Sequence, residues 1–94
     1  KERAWRVDTH VSVSGPWLEV DLHDLSVTLA LDVLHANTDH GPPCVRLITG
    51  RGKHTGGQSR LREAVYDAAR AAGWRVAAVG PGRLELVRQG FTRP

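Results

Sequence analysis

A glycine-rich stretch between a strand-like and a helix-like segment constrains the fold of this chain most. It covers residues 49–57 and reads Thr-Gly-Arg-Gly-Lys-His-Thr-Gly-Gly. Residues 45–48 before it are mostly apolar and partly β-branched, which is typical of a buried strand. Residues 59–72 after it carry apolar side chains at helical spacing. The stretch is therefore predicted to connect the carboxyl end of a strand to the amino end of a helix.

The rest of the chain repeats this alternation of strand and helix patterns. Apolar and polar residues alternate from Trp17 to Leu22, as in a half-buried strand. Ser26 is a suitable N-cap for a helix that runs to about Asn37, and Gly73 is a suitable end for the second helix. The predicted strands cover residues 17–22, 44–48, 74–79 and 83–88, and the predicted helices cover residues 26–37 and 59–72.

The predicted element order β-α-β-α-β-β favours an α/β fold. Two strand–helix–strand units imply parallel strands that are joined by right-handed crossovers. When the strand order does not reverse, such crossovers place both helices on one face of the sheet. We therefore expect a two-layer α/β sandwich with a mixed four-stranded sheet, in which the last two strands are antiparallel. The other face of the sheet is expected to be largely open.

The two ends of the chain do not fit the α/β pattern. Within residues 1–16, the side chains alternate between two faces from Trp5 to Val13, before a Ser-Gly-Pro break. This pattern suits an edge strand, a linker or an arm that pairs with a neighbouring domain. Residues 17–88 are predicted to be the folded domain, and residues 89–94 a tail that frays. Because the chain starts at Lys1 and contains no Met, we expect it to be part of a larger protein.

The length and composition limit the function classes. A chain of 94 residues fits one small domain, so an active site would be an open groove that suits a polymeric substrate. The net charge of +3 is a mild bias toward anionic partners. The single cysteine, Cys44, excludes an internal disulfide and a cysteine-rich zinc site, and it is compatible with a cytoplasmic location. No apolar run is long enough to cross a membrane.

Residues suited to phosphodiester chemistry follow the first two predicted strands. The carboxyl ends of such strands share one edge of the sheet, where ligands bind in open α/β folds. His23 or His54 is a candidate general acid or base. Asp21 is a candidate to orient an imidazole or to bind a divalent metal. Arg51, together with loop N–H groups, is a candidate to stabilise the charge of the transition state.

The loop and the start of the second helix supply further candidates for phosphate binding. Glycines allow the backbone to approach a ligand closely, and a helix N-terminus attracts anions. The predicted phosphate-binding residues are Thr49, Gly50, Gly52, Lys53, Thr55, Gly56, Gly57, Arg60 and Arg62. The alternative is a solvated connector, and a hydrogen-bonded strand exit is the alternative for residues 21–24.

These motifs resemble the Smr domain, the small MutS-related family. The resemblance covers about residues 17–88 and rests on several short motifs in the same order. They are Val20-Asp21-Leu22-His23-Asp24, Thr49-Gly50-Arg51-Gly52, Lys53-His54-Thr55-Gly56-Gly57, Leu61-Arg62-Glu63-Ala64-Val65 and Pro81-Gly82-Arg83-Leu84-Glu85-Leu86. Two departures stand out, because Asp24 replaces the usual glycine and Thr55 the usual serine.

The resemblance implies a fold similar to the C-terminal domain of bacterial translation initiation factor three. It also implies an endonuclease that cleaves RNA or nicks DNA, in some members on stalled ribosomes. Metal dependence differs within the family, so Mg²⁺, Mn²⁺ or no metal all stay open here, with Asp21 and Asp24 as the candidate ligands. The alternatives are a non-catalytic module that binds nucleic acid or the ribosome, and a domain whose open sheet face docks a protein, such as another part of the parent chain.

Overall fold

A mixed β-sheet covered by two helices makes up the part of the chain that the structure describes, residues 11–50 and 57–94 of a computed structural model. In chain order the elements are β1 (Val11–Ser14), β2 (Trp17–Asp21), α1 (Val27–Thr38), β3 (Cys44–Ile48), α2 (Gly57–Ala71), β4 (Trp74–Ala78) and β5 (Arg83–Arg88). The predicted α/β architecture is confirmed, and each predicted helix and strand is present to within two residues at either end. No helix within these residues has the length and apolar character needed to span a membrane.

The strand order in the sheet is β1-β2-β3-β5-β4. β2 and β3 are parallel, whereas the other neighbouring pairs are antiparallel. The chain moves across the sheet in the same direction from β2 to β3 and from β3 to β4. Right-handed crossovers in one direction place α1 and α2 on the same face of the sheet, as predicted.

The number of strands is the point at which the sequence prediction was wrong. Instead of four strands, the described residues form five, because β1 pairs with β2 as an antiparallel edge strand. Ser14 pairs with Trp17, so Gly15 and Pro16 alone form the hairpin turn. Gly15 has a φ of 61°, which suits the first position of a two-residue hairpin turn. The short turn thus fixes β1 against the sheet.

The helix-covered face of the sheet forms the core. Apolar residues on alternate strand positions pack against α1 and α2, and most of them are fully buried. The buried cluster contains Val20, Leu22, Ala30, Val33, Leu34, Val45, Leu47, Leu61, Val65, Ala69, Trp74, Leu84 and Leu86. Both helices contribute to this single cluster, so the sheet and the two helices are held together as one unit.

Side chains at both ends of α1 satisfy its terminal backbone groups. The Ser26 hydroxyl accepts a hydrogen bond from the N–H of Leu29 at 3.2 Å, as a good N-cap does. At the other end, the Arg88 guanidinium donates to the carbonyls of Thr38 and Gly41 at 3.1 and 3.2 Å. Arg88 also lies 4.4 Å over the ring of Trp74. The position of α1 is thereby linked to the end of β5.

A row of charged residues crosses the opposite face of the sheet. Arg46 on β3 donates to Glu19 on β2 at 2.8 Å and to Glu85 on β5 at 3.0 Å. Its guanidinium also lies 4.8 Å over Trp17. Burial favours a raised pKa for Glu85, but hydrogen bonds from Arg93 and Arg46 outweigh it and hold the pKa of this carboxyl below its ordinary value.

The C-terminal residues pack against this same face. Arg93 binds the buried carboxylate of Glu85, and Arg75 on β4 donates to the carbonyl of Phe91. These contacts link residues 89–94 to the sheet, and the expectation that they fray stays a prediction. The face is also less open than predicted, because the tail covers part of it.

Candidate active site at the carboxyl edge of the sheet

The parallel register of β2 and β3 brings the predicted site residues to one edge of the sheet. Asp21, the last residue of β2, pairs with Ile48, the last residue of β3. The N–H of Leu22 donates to the carbonyl of Ile48 at 2.7 Å, which continues the pairing by one residue. The segments that begin at His23 and Thr49 therefore leave the sheet side by side.

Asp21 and His23 form a hydrogen-bonded pair at this edge. One oxygen of the Asp21 carboxylate, Oδ1, accepts both the backbone N–H of His23, at 3.1 Å, and the ring Nδ1–H of His23. The His23 side chain remains half exposed. Because Nδ1 faces the carboxylate, Nε2 is the ring nitrogen that points away from Asp21. Such an arrangement fixes the tautomer of a histidine that exchanges protons with a ligand.

The charge around His23 favours its protonated form. The hydrogen bond to Asp21 and the charge of the same carboxylate raise the pKa of the imidazole above its ordinary value. Burial opposes this rise, and the charge of Asp24 adds a smaller increase. Asp24 Oδ2 lies 3.6 Å from Nε2, which is too long for a hydrogen bond but close enough for attraction. An environment that favours the protonated imidazole suits the role of a general acid.

Asp24 has an unusual backbone conformation. Its φ of 67° lies in the left-handed region, where it is the one non-glycine residue among those the structure describes. Asp and Asn tolerate this region better than other residues, although glycine is more favourable. The backbone geometry thus explains why the family pattern has glycine here. In this chain the turn instead carries a carboxylate next to His23.

Thr49 and Gly50 connect the end of β3 to the neighbouring turn. Thr49 is fully buried, and its N–H donates to the carbonyl of Gly82 at 2.8 Å. The hydroxyl of Thr49 has no hydrogen-bond partner among the described residues. Gly50 has a φ of 87°, so a residue with a Cβ would be strained there. Both residues shape the exit of the chain from β3.

The remaining predicted site residues lie partly outside the described part of the chain. The residues that lie outside it are Arg51, Gly52, Lys53, His54, Thr55 and Gly56. Gly57 begins α2, and Arg60 and Arg62 lie in the first two turns of this helix. Arg60 is exposed and Arg62 is half buried. α2 therefore starts at the last residue of the glycine-rich stretch, two residues before the predicted start.

One charged residue at this edge was missed from the sequence. Arg83 is the first residue of β5 and pairs with Ile48, on the side of β3 away from Asp21. It was interpreted only as the start of a strand. The sequence signal that could have identified it is its position directly after Pro81-Gly82. The turn at these residues returns the chain to the edge of the sheet where β3 ends.

The carboxylates at this edge do not form a complete metal cage by themselves. Within residues 11–50 and 57–94, no group of three or more His, Cys, Asp or Glu side chains is placed to hold a metal ion. Asp21 and Asp24 still offer two carboxylates, and Mg²⁺ is often held by one or two carboxylates together with the phosphates of a substrate. Asp21 and Asp24 lie against different nitrogens of the His23 ring, so the described geometry fits ligation by one of these carboxylates and not by both.

This chain is similar to known proteins in its structure. No protein-family model and no curated protein sequence matches the chain. Among solved structures, the solution structure of the B3BP Smr domain is 32% identical, with 76% of this chain and 77% of that chain covered and a TM-score of 0.58. The solution structure of the SMR domain of NEDD4-binding protein 2 is 30% identical, with 86% and 95% covered and a TM-score of 0.60.

A crystal structure gives the same result. The human small-MutS related domain is 32% identical, with 73% of this chain and 98% of that chain covered and a TM-score of 0.53. The identity and coverage of these structures confirm the resemblance that the motifs indicated. This chain belongs to the Smr, or small MutS-related, domain family.

Proposed function

We propose that this domain binds nucleic acid and cleaves its phosphodiester backbone as an endonuclease. The observation that carries the proposal is the Asp21–His23 pair, which is half exposed at the carboxyl edge of two parallel strands. Membership of the Smr family supports the nucleic-acid-binding part of the proposal. The cleavage part depends on the chemistry of the pair.

His23 acts in this proposal as the general acid. When a 2′-hydroxyl or a water molecule attacks the phosphorus, it loses its proton to solvent, and the bond from phosphorus to the leaving oxygen breaks. The leaving oxygen needs a proton, and the Nε2–H of a protonated His23 supplies it. Asp21 orients the ring through Nδ1 and stabilises its positive charge. Arg51 and the N-terminal end of α2 bind the phosphate in this scheme, and His54 is the rival for the role of acid or base.

A cleavage assay with a panel of substrates tests the proposal. Single-stranded RNA, structured RNA and plasmid DNA are each incubated with EDTA, with Mg²⁺ and with Mn²⁺. We expect cleavage of at least one substrate, and loss of that cleavage in Asp21→Ala. Binding without cleavage of any substrate would contradict the endonuclease and leave a binding module. Cleavage that stops with EDTA would assign Asp21 or Asp24 to a metal.

Asp21→Asn is expected to lower the pKa of His23 toward its ordinary value of 6.5. The carboxylate favours the imidazolium, and the amide removes that charge while keeping the size of the side chain. Since the pKa in the native protein is raised, the protonated form is lost only as the pH rises through that raised value. The falling, alkaline limb of the pH–rate profile should therefore move to lower pH in the variant.

NMR titration of the His23 ring protons measures this pKa directly, without any need for activity. Asp32→Asn is the matched control, since Asp32 is an exposed acid on α1. If the pKa of His23 is the same in Asp21→Asn as in Asp32→Asn, the assigned role of Asp21 is wrong.

Removal of the Asp24 charge is expected to strengthen nucleic-acid binding. The carboxylate lies 3.6 Å from the His23 ring, and it repels a phosphate that approaches this ring. Asp24→Asn removes the charge alone, whereas Asp24→Gly also suits the left-handed backbone. We expect both variants to lower the Kd by a similar factor of about two to five, as expected for one partly screened charge.

Fluorescence anisotropy with a labelled RNA oligonucleotide measures this change, with Asp39→Asn as the control for net charge. An unchanged Kd in both Asp24 variants would contradict the expected repulsion, and a higher Kd in both would show that Asp24 contributes to binding.

A further inference from the structure

The arginines of the described part of the chain fall into two groups. Five of them contact another group within the protein: a carboxylate, a backbone carbonyl or an aromatic ring. These five are Arg46, Arg70, Arg75, Arg88 and Arg93. Arg60, Arg62 and Arg83 make no hydrogen bond or ion pair to another residue that the structure describes. Among the described arginines, those without such a partner therefore lie at the start of α2 and at the start of β5.

Arg83 lies on the same face of the sheet as Asp21. Strand pairing joins Asp21 to Ile48 and Ile48 to Arg83, so the three residues form one row across the carboxyl edge. Because two strand spacings separate these residues, the Cα atoms of Asp21 and Arg83 lie about 10 Å apart. Ile48 separates them, so Arg83 extends the site to one side of His23 without pairing with Asp21.

An open groove of about 390 Å³ lies beside Arg83. Its lining combines apolar side chains, glycine backbone and the guanidinium of Arg83: Ile48, Gly50, Val79, Gly80, Pro81, Gly82 and Arg83. Arg83 is the one charged residue in that described lining, which contains no acid. Apolar walls suit a base or a ribose, while an unpaired guanidinium suits a phosphate.

The backbone that shapes this groove is fixed by hydrogen bonds. The N–H of Val79 donates to the carbonyl of Arg83 at 3.2 Å, and the N–H of Thr49 donates to the carbonyl of Gly82 at 2.8 Å. These bonds hold the turn between β4 and β5 against the end of β3. The groove is therefore largely formed before a ligand enters, which reduces the cost of binding.

We propose that this groove binds the nucleotide next to the cleaved phosphate, with Arg83 contacting the backbone phosphate of that nucleotide. The inference rests on the proposed function, because it assumes that nucleic acid occupies the Asp21–His23 site. It specifies the path of the strand, which runs from His23 over Ile48 toward the turn between β4 and β5. A flexible single strand fits this path, since its bases are free to leave a stack.

Arg83→Ala is expected to raise the Kd for a fluorescein-labelled single-stranded RNA decamer about five- to tenfold, the range for one charge-assisted phosphate contact. The dependence of log K on log salt should also become shallower by about 0.7, the value for one phosphate on a single strand. Arg70→Ala is the matched control, because it removes the same charge from an exposed position near the end of α2. Both variants should melt at nearly the same temperature as the native protein.

A second measurement locates the contact on the nucleic acid. One backbone phosphate of the decamer at a time is replaced by a neutral methylphosphonate. At one position this replacement should weaken binding to the native protein but not to Arg83→Ala, since the contact is then already lost. Failure to find such a position would overturn the proposal.

The outcomes separate this inference from the proposed function. If the native protein binds the decamer but Arg83→Ala and Arg70→Ala have the same Kd and salt dependence, the groove assignment is wrong and the proposed function stands. If the native protein shows no salt-dependent binding to RNA or DNA, both are wrong.

Discussion

His23→Ala is expected to reduce the rate of phosphodiester cleavage about a hundred- to ten-thousandfold, the usual contribution of one general acid or base. The reason is the geometry at the end of β2. Asp21 holds Nδ1 of the ring and raises the pKa of the imidazole, which favours the form that carries a proton on Nε2. Alanine removes that proton, and no other described histidine lies beside Asp21. Single-turnover cleavage at saturating enzyme measures the chemical step without an effect of affinity.

The same experiment needs a binding measurement and a control. The Kd of His23→Ala should stay close to that of the native protein, because the proton is transferred in the transition state. His35→Ala removes an exposed histidine from α1 and should cleave at the native rate. A native rate in His23→Ala would refute the assignment. If only His54→Ala is inactive, the acid or base lies on the glycine-rich stretch instead.

Val65→Asp is expected to abolish the cooperative unfolding transition. Val65 on α2 is fully buried in the core, among apolar side chains from both helices and the sheet. An aspartate there is an unpaired buried charge, which costs several kcal/mol. A domain of this size has a total stability of about 5–10 kcal/mol, so the substitution removes most or all of it. Thermal melting followed by circular dichroism measures the loss.

Arg70→Asp separates burial from a general effect of acidic residues on α2. Arg70 is exposed, with its guanidinium 5.8 Å from the Tyr66 ring centre. An aspartate near the end of a helix costs about 1 kcal/mol or less, so this variant should still melt cooperatively. A cooperative melt of Val65→Asp close to that of the native protein would contradict the packing of α2 on the sheet.

The sequence predicted the core of the fold because the strongest patterns lie in its buried elements. On α2, Leu61, Val65 and Ala69 recur at helical spacing, and all three are buried. On β2, the alternation that includes Val20 and Leu22 identified the buried face in the same way. Burial of one face imposes periodicity on a sequence, so these elements could be recognised without any knowledge of their partners.

The errors occurred where the structure depends on a distant partner. β1 is mostly exposed, and Val13 is 77% exposed, so its alternation did not indicate whether a neighbouring strand was present. The tail is held by Arg93 on a carboxylate eight residues earlier, and Glu85 is buried only because the sheet forms. Such contacts leave no periodic signal. Arg83 was missed for a related reason. Its place at the candidate site depends on its pairing with Ile48 of β3, which is distant in sequence.

The candidate site was predicted only in part. The proximity of Asp21 to His23 followed from their spacing along a strand, and the parallel register of β2 and β3 explains why the glycine-rich stretch begins beside them. The roles of these residues and of residues 51–56 stay predictions for the experiments above. Sequence motifs identify which residue types are present, whereas the reach of each side chain depends on the three-dimensional fold.

The two arginine–tryptophan contacts give this domain a pair of optical probes with separate locations. Arg46 covers Trp17 on the face of the sheet that the tail crosses, whereas Arg88 covers Trp74 on the helix-covered face. Indole fluorescence responds to nearby charge and to solvent access, so the two emissions depend on different surroundings. Displacement of the tail changes the environment of Trp17, and separation of α1 from β5 changes that of Trp74. Structural changes on the two faces of the sheet can thus be followed separately by fluorescence, in variants that keep one of these tryptophans and have phenylalanine in place of the others.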